Sequence, residues 1–267
     1  MTQGIDDSWA LGEAYDAYMG RWSRLVAREF LHWLAADPEC HWLEVGCGTG
    51  ALTSTICHLA QPSSVIASDQ SASFVAHAHR HVVDPRVSHV AAAADALPRR
   101  TGGFDVIVSG LVLNFIPDPS AALTAMRERV RPGGSVAAYV WDYAGGIEFL
   151  RHFWEEAVSL DPRASAVDES RRFGAWQLTH LTSLFDAAGL LDVRGGWLTV
   201  PTTFANFEDY WRPFLGATGP APSYVASLSP PDRERLAQRL KARLPSARDG
   251  SIRLEARALA VHGVRGT

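Results

Sequence analysis

Short apolar runs alternate with segments of helical character along the first half of the chain. The runs predicted as strands are the start of 41–50, then 64–68, 87–93, 104–109 and 135–141. Residues 51–59 form a helix-compatible segment directly behind the first run. Strands that alternate with helices are typical of an α/β fold with a parallel sheet.

The second half continues the pattern with longer intervals. Helices are predicted at 147–159 and 175–188, where Gly189 is a stop signal. A sixth strand is predicted at 190–201, interrupted by its Gly-Gly pair, and a seventh at 251–264, with alternate residues on one face. The interval 204–245 exceeds a hairpin connection, so we predict that it forms a lid over a substrate.

The turn after the first strand carries glycines at alternate positions, Gly46, Gly48 and Gly50. Glycine accepts positive φ and lets a ligand approach the backbone closely. The spacing is G-x-G-x-G, whereas a dinucleotide pyrophosphate needs G-x-G-x-x-G. No lysine follows, which excludes a phosphate-binding Walker loop.

The segment 44–50, EVGCGTG, resembles the first motif of the class I S-adenosylmethionine-dependent methyltransferases. Other family landmarks follow in order: Asp69 ending the second strand, the segment 94–98, FDxVxxxxxLxxxxD at 104–118, and the RPGG turn at 131–134. The resemblance implies a Rossmann-like, seven-stranded, mostly parallel sheet flanked by helices, with S-adenosyl-L-methionine as cofactor.

The resemblance also implies cofactor contacts in this half. They fall on Glu44, Gly46, Cys47, Gly48, Asp69, Gln70, Asp95, Ala96 and Ser109. Asp69 would accept hydrogen bonds from both ribose hydroxyls. Asp95 would accept from the exocyclic amine of adenine, and Ala96 would donate its backbone N–H.

Residues 14–35 show helical spacing of apolar positions, interrupted by Gly20. The sequence YMGRWSRL resembles the N-terminal cap of many small-molecule methyltransferases, and Tyr18 belongs to this expected cofactor contact. Arg21 is a candidate partner for the methionine carboxylate, because a guanidinium fork fits a carboxylate well. A solvated arginine is the alternative.

The expected organisation has three parts. Residues 1–37 form an N-terminal helical cap and residues 38–142 the cofactor-binding core. Residues 143–267 complete the sheet and carry helical substrate-lid insertions at 143–188 and 202–250.

Composition and charge limit the kinds of molecule that the chain is expected to bind. The formal net charge is -4 and the pI near 6.2, with basic residues spread along the chain, so nucleic acid is a poor candidate. Three cysteines without a CxxC pair favour a cytoplasmic setting. We also expect no secretory signal and no membrane span, while a homodimer stays open.

A metal site is not expected. His77, His79 and His81 alternate, but on a helix only the i, i+4 pair shares a face, and zinc needs three or four ligands. We therefore predict surface histidines.

Methyl transfer can depend largely on alignment, so a general base is optional. Asp142, which follows the fifth strand, is the best-placed carboxylate, and His152 and His180 are further candidate bases. Asn114 stands where related enzymes often carry histidine, and an amide cannot take a proton, so it is expected to position the acceptor.

Aromatic residues concentrate where the acceptor is expected, in the cap, after the fifth strand and in both insertions. Candidate acceptor contacts are Trp22, Asn114, Tyr143, Trp211 and Arg212. Arg212 would anchor a carboxylate or phenolate; the alternative is an ion pair with Glu208.

We therefore expect methyl transfer to a small, largely apolar organic acceptor, with O-methylation favoured. A non-catalytic cofactor-binding protein of the same fold is the main alternative, and a dinucleotide-dependent oxidoreductase fits less well. The missing NPPY-type tetrapeptide after Ser109 argues against DNA, RNA or glutamine targets.

Overall fold

A computed structural model describes residues 19–216 and 219–267. Its strands are β1 (His41–Val45), β2 (Ser64–Asp69), β3 (Val87–Ala91), β4 (Phe104–Gly110), β5 (Val130–Trp141), β6 (Leu190–Phe204) and β7 (Ile252–Arg265). They form one sheet in the order β3-β2-β1-β4-β5-β7-β6. The first five strands pair in parallel and β7 pairs antiparallel to β5. The expected seven-stranded, mostly parallel sheet is confirmed.

The helices follow the strands in the alternation that the sequence predicts. In the described ranges they are α1 (Arg21–Leu34), α2 (Ala51–Leu59), α3 (Ala72–His81), α4 (Pro119–Arg129), α5 (Glu148–Leu160), α6 (Glu169–Phe173), α7 (Leu178–Ala187), α8 (Phe207–Trp211), α9 (Pro220–Ser227) and α10 (Pro230–Arg243). Helix α4 shows how local chemistry sets a boundary. Asp118 accepts the Ala121 N–H at 2.9 Å, and Pro119 occupies the first turn, where a missing N–H costs nothing.

The chain divides into two compact units. The first takes in Asp142–Ala175 and Thr199–Arg257 together with the described residues up to Trp22. The second comprises Ser23–Trp141, Trp176–Leu198 and Ala258–Thr267. The first unit draws on several separated segments, and the three parts expected from the sequence stay a prediction.

The core of the second unit lies between the sheet and two helices. Leu123 and Met126 of α4 and Leu181 and Phe185 of α7 are fully buried with side chains of the central strands, including Ile107. Full burial of one such side chain contributes about 1.5–3 kcal/mol. These apolar stripes fix α4 and α7 on the sheet.

Aromatic side chains form the core of the first unit. The rings of Phe153 and Phe214 stack with centroids 4.6 Å apart, and the hydroxyl of Tyr210 donates to the Phe149 carbonyl at 2.9 Å. Glu156 of α5 is almost completely buried and accepts from Arg239 Nε at 2.6 Å. An ion pair thus fastens α10 to α5.

Two details of the expected strand pattern are wrong. The segment with RPGG lies inside β5, where the pairing with β4 shifts register between Phe104 and Val106, so it is no separate turn. Strand β6 runs through Gly195 and Gly196 without interruption. A Cβ on Gly195 would lie 2.8 Å from Leu178, and one on Gly196 would lie 2.7 Å from Trp33. These glycines admit neighbouring side chains rather than breaking the strand.

The helices also differ at their ends. The first described helix begins at Arg21, and the earlier part of the expected helix, with Tyr18, lies outside the described residues. Two short helical segments, Pro162–Ala166 and α6, occupy an interval for which the sequence predicted no element. Short helices of this kind have too few residues for a periodic pattern to be detected.

Two adjacent glycines provide a matched test of the turn that enters β4. Gly102 and Gly103 both have φ of 81°. A Cβ on Gly103 would lie 2.8 Å from the backbone nitrogen of Arg131, whereas one on Gly102 meets only a guanidinium atom of Arg100 at 3.9 Å. Alanine at either position costs about 1–2 kcal/mol for the left-handed backbone.

We predict that Gly103→Ala loses about 1–3 kcal/mol more stability than Gly102→Ala, because its clash is with backbone. Denaturant unfolding of the two variants measures the difference. Equal losses would contradict the contact between this turn and the start of β5.

Candidate functional site

The glycine loop that follows β1 is held by the end of β2. The N–H groups of Gly46 and Cys47 both donate to the Ser68 carbonyl, at 2.8 and 2.9 Å, and the Gly50 N–H donates to the Cys47 carbonyl at 2.8 Å. The three loop glycines have φ of 79°, 51° and 90°. Other residues rarely adopt three left-handed conformations within five positions, which explains the spacing.

Two of these glycines have different surroundings. A Cβ on Gly46 would lie 2.5 Å from the side chain of Val112, which fills the space beneath the loop. Around the corresponding position on Gly48, no described atom lies within 4 Å. The loop therefore presents open space at Gly48 in which a ligand can contact backbone.

Asp69, the last residue of β2, braces the loop from the side. Its Oδ2 accepts the Gly48 N–H at 3.0 Å and its Oδ1 accepts the Ser71 N–H at 2.8 Å. Burial raises the pKa of Asp69, while these two hydrogen bonds act in the opposite direction. The carboxylate lies where the sequence places a ribose-binding acid, and that role stays a prediction.

Glu44 is buried beneath α2 and accepts the Thr53 hydroxyl at 2.6 Å. Burial raises its pKa to about 8, while the hydrogen bond from Thr53 acts in the opposite direction. Cys47 is also buried, and burial raises the pKa of its thiol, which matches a packing role rather than a nucleophilic one. The structure gives Glu44 a supporting contact; direct contact with cofactor stays a prediction.

The remaining expected cofactor residues lie at or after the carboxyl ends of β2, β3 and β4. The Ser109 hydroxyl is buried and donates to the Val45 carbonyl at 2.9 Å, joining β4 to β1. Gln70 and Asp95 are exposed. The Ala96 N–H donates to the Ala93 carbonyl at 3.0 Å and is therefore not free for adenine in this conformation. The cofactor roles of all four residues stay predictions.

Two polar side chains at the carboxyl ends of β4 and β5 lack partners. Asn114 lies in a 3₁₀ turn after β4 and is 8% exposed, and neither amide atom has a hydrogen-bond partner within the described residues. The indole N–H of Trp141, which ends β5, likewise has none in that part of the chain. A buried polar group without a partner costs about 1–3 kcal/mol, which a bound molecule can recover.

The three candidate bases differ from one another in their surroundings. Asp142 is 4% exposed, and its Oδ2 accepts from Nε and Nη2 of Arg257 at 2.9 and 2.5 Å. His152 is half-buried and its Nδ1 accepts from Arg243 Nε at 3.3 Å; partial burial, with Arg151 and Arg243 nearby, lowers its pKa. His180 is exposed on α7. A catalytic role for each stays a prediction.

Arg21, the first residue of α1, is sandwiched between two rings. Its guanidinium carbon lies 4.2 Å from the Trp22 ring centroid and 4.7 Å from that of Phe204. Nη1 donates to both carboxylate oxygens of Asp209 at 3.2 Å. Its Nε and Nη2 are buried without a partner among the described residues. The edge that forms bidentate pairs with carboxylates is thus left unused.

The expected aromatic cleft is mostly a packed core. Trp211 is 7% exposed and its ring stacks on Phe207, so substrate contact there would require displacement of packed side chains. Arg212 is exposed and lies 3.9 Å from Asp209, which corrects the alternative pairing with Glu208. The helix geometry explains the change, since residues three apart also share a face.

A cavity of about 390 Å³ lies within the first unit. Its apolar wall includes Tyr143, Ile147, Leu150 and Trp154, and charged side chains, among them Arg151, line the rest. The cavity begins one residue after Asp142 along the chain. Among the expected acceptor contacts, Tyr143 lines this cavity.

Of the histidine triplet, His79 and His81 are exposed as predicted, whereas His77 is buried. His77 is 7% exposed and stacks on His81 with ring centroids 4.0 Å apart. Within residues 19–216 and 219–267, no group of three or more His, Cys, Asp or Glu side chains could hold a metal ion. Over the same ranges, no helix is both long and apolar enough to cross a bilayer.

Sequence reasoning missed the partners that hold the site in place. Val112 fills the space below Gly46, Asp209 pairs with Arg21, and Arg257 pairs with Asp142. Each lies more than sixty residues from its partner along the chain. No local motif marks contacts of this kind.

Part of the chain is similar in sequence to known methyltransferases. Residues 43–138 match a family model described as a methyltransferase domain, which extends from β1 into β5. A ubiquinone biosynthesis O-methyltransferase of Aromatoleum aromaticum is 30% identical over 95 residues, 35% of this chain and 41% of that protein. A trans-aconitate 2-methyltransferase of Deinococcus radiodurans is 26% identical over 114 residues, 43% of each. The matches thus span less than half of these relatives.

The solved structures extend the likeness to the whole fold. Phosphoethanolamine N-methyltransferase 2 of Haemonchus contortus, in complex with S-adenosyl-L-methionine, superposes with a TM-score of 0.57 at 16% identity, over 100% of this chain and 59% of that one. The matched domain contains the glycine loop and most of the five parallel strands. The family match identifies residues 43–138 as a methyltransferase domain, and the likeness to the solved structure shows that the whole chain shares this fold.

Proposed function

We propose that the chain transfers the methyl group of S-adenosylmethionine to a small, largely apolar organic acceptor, with oxygen as the favoured nucleophile. The observation that carries the acceptor class is the cavity of about 390 Å³ that begins directly after Asp142. This volume falls in the usual range for sites that bury a small molecule.

The residues present fit the cofactor. The open space at Gly48 allows close backbone approach, and Asp69 offers a carboxylate at the end of β2. Arg21 has a buried Nε and Nη2 without described partners, which suits the methionine carboxylate. When bound, S-adenosylmethionine supplies an electrophilic methyl group on a sulfonium.

The chain's contribution to the reaction is alignment. A lone pair of the acceptor oxygen forms the new C–O bond as the C–S bond breaks, and sulfur keeps the bonding electrons. Holding nucleophile and methyl group in line can lower the barrier by several kcal/mol, on the order of 7–11 in favourable cases. The hydroxyl proton leaves to water or to a base.

Asn114 is the proposed positioning residue for the acceptor. Its amide offers a donor and an acceptor, and neither has a described partner although the side chain is buried. A hydroxyl group complements both, since it donates to Oδ1 and accepts from Nδ2. This complementarity favours oxygen, and the name of the Aromatoleum relative agrees with it.

Among the candidate bases, Asp142 has the least accessible side chain. It is 4% exposed, and two guanidinium contacts from Arg257 occupy its Oδ2. His152 keeps a neutral imidazole more readily, because burial and two arginines lower its pKa. We propose that Asp142 orients the chain after β5 and that proton loss to solvent suffices for acidic hydroxyls.

Asp69→Asn tests the cofactor loop. The two carboxylate oxygens accept from two different N–H groups, and an amide can satisfy only one of them. We expect the Kd for S-adenosylmethionine to rise at least about tenfold, or about 1.4 kcal/mol. Isothermal titration calorimetry measures it. The control Asp118→Asn keeps its single cap contact and should bind normally. Equal affinity of both variants would contradict the role of Asp69.

Arg21→Ala tests the carboxylate contact. Loss of a bidentate guanidinium partner should weaken S-adenosylmethionine binding about tenfold or more. Arg24→Ala, an exposed position on the same helix, is the matched control and should stay within about twofold of wild type. If Arg21→Ala binds as wild type does, Arg21 lies outside the cofactor site.

The acceptor is tested by S-adenosylhomocysteine release across phenols, carboxylic acids and amines with apolar bodies. We expect turnover with oxygen nucleophiles. Saturable cofactor binding without turnover of any acceptor would favour the non-catalytic alternative.

With the acceptor found, Asn114→Leu should lower kcat/KM at least about tenfold while cofactor affinity stays within about twofold. The apolar replacement removes an unpaired buried amide, so the thermal midpoint should not fall. An unchanged kcat/KM would exclude Asn114 from acceptor positioning.

A further inference from the structure

Arginine side chains surround a second cavity, at the edge of the sheet opposite to the glycine loop. The cavity has a volume of about 290 Å³ and lies within the second unit. It is lined by Arg99, Arg100, Arg129, Arg131 and Arg265, with Glu128 at its rim. These residues lie before β4, at the start of β5 and at the end of β7. Since β4 spans seven residues, about 20 Å separates the two edges.

The charge at this cavity is unbalanced. Five guanidiniums line it, and the carboxylates that contact them are Glu128 and Asp105. Arg99 has no hydrogen bond or ion pair among the described residues. The chain as a whole is acidic, with a formal net charge of -4. Concentrated positive charge on an acidic protein has a local electrostatic cost that a bound anion would relieve.

Two of the guanidiniums, those of Arg265 and Arg100, are held in place by backbone carbonyls rather than neutralised by carboxylates. Arg265 Nη1 donates to the carbonyls of Glu128 and Val130 at 3.2 and 2.6 Å, and Arg100 Nη1 donates to the carbonyls of Thr101 and Gly103 at 3.2 and 2.8 Å. Carbonyl contacts fix orientation without cancelling charge.

The other two, Arg129 and Arg131, each combine a backbone contact with a carboxylate contact. Arg129 Nε donates to the Leu97 carbonyl at 3.3 Å and Nη1 contacts Glu128 at 3.5 Å; Arg131 Nε donates to Asp105 at 2.6 Å and Nη1 to the Pro132 carbonyl at 3.1 Å. In Arg100, Arg129, Arg131 and Arg265, Nη2 makes no hydrogen bond to a described residue. Each guanidinium is therefore oriented and retains donors.

We propose that this cavity, the arginine cavity, binds a tetrahedral oxyanion, either inorganic phosphate or the phosphoryl group of a phosphorylated small molecule. Arginine donors match the oxygens of such a group and balance its two charges. The volume admits a phosphoryl group with a small substituent. A nucleic-acid backbone would need a basic stripe, whereas these arginines enclose one depression. The site is separate from methyl transfer.

The probes are inorganic phosphate and glycerol 3-phosphate, titrated by calorimetry into the full chain. Tighter binding of one probe identifies the source of the phosphoryl group. The test variant is Arg99→Gln with Arg100→Gln, both exposed, so the fold should persist. Arg28→Gln with Arg248→Gln, also exposed, removes the same charge elsewhere.

We expect saturable binding of at least one probe, with Kd raised at least about tenfold in the cavity variant and within about twofold in the control. Circular dichroism checks that both variants stay folded. Absence of saturable binding by wild type up to about 10 mM would overturn the proposal. Equal weakening in both variants would overturn it too, since it would show a dependence on net charge alone.

Discussion

The site depends on the junction between β1 and β2. Parallel pairing sets Val45 beside Ser68, which brings the Ser68 carbonyl within reach of two loop N–H groups and the Asp69 carboxylate within reach of a third. These contacts hold a backbone that turns through three left-handed glycines. A small shift in this register would break the hydrogen bonds that support the loop and would also move Asp69 away from it. Pairing geometry therefore positions the proposed cofactor site before any ligand contact is made.

The sequence was sufficient to predict this half of the molecule because its signals are local. Glycine spacing, an acid about twenty residues further on, and the alternation of short apolar runs with helices each follow from chain geometry over a few residues. Helix α2 begins and ends at the predicted residues, Ala51 and Leu59. Strand β2 ends at Asp69, as expected. The Gly-Gly pair in β6 misled the prediction, because a glycine that admits a side chain looks the same as one that breaks a strand.

The contacts of the first unit could not be predicted from the sequence, because they join distant segments of the chain. Arg21 meets Asp209 across 188 positions, and Asp142 meets Arg257 across 115. Aromatic residues that the sequence suggested for a cleft mostly pack on one another instead, since a large ring stabilises a core as well as it binds a ligand. The unpaired amide of Asn114 could be recognised only once the surroundings of the side chain were known. Fold and cofactor are therefore better determined than the acceptor, as is general for folds that serve many reactions.

The central claim is that the glycine loop and Asp69 form an adenosyl site rather than a pyrophosphate site. The most direct measurement is calorimetric titration of the purified chain with S-adenosylmethionine and, separately, with NADH. The account predicts saturable binding of S-adenosylmethionine at one site per chain and no binding of NADH. Saturable binding of NADH without binding of S-adenosylmethionine would contradict it.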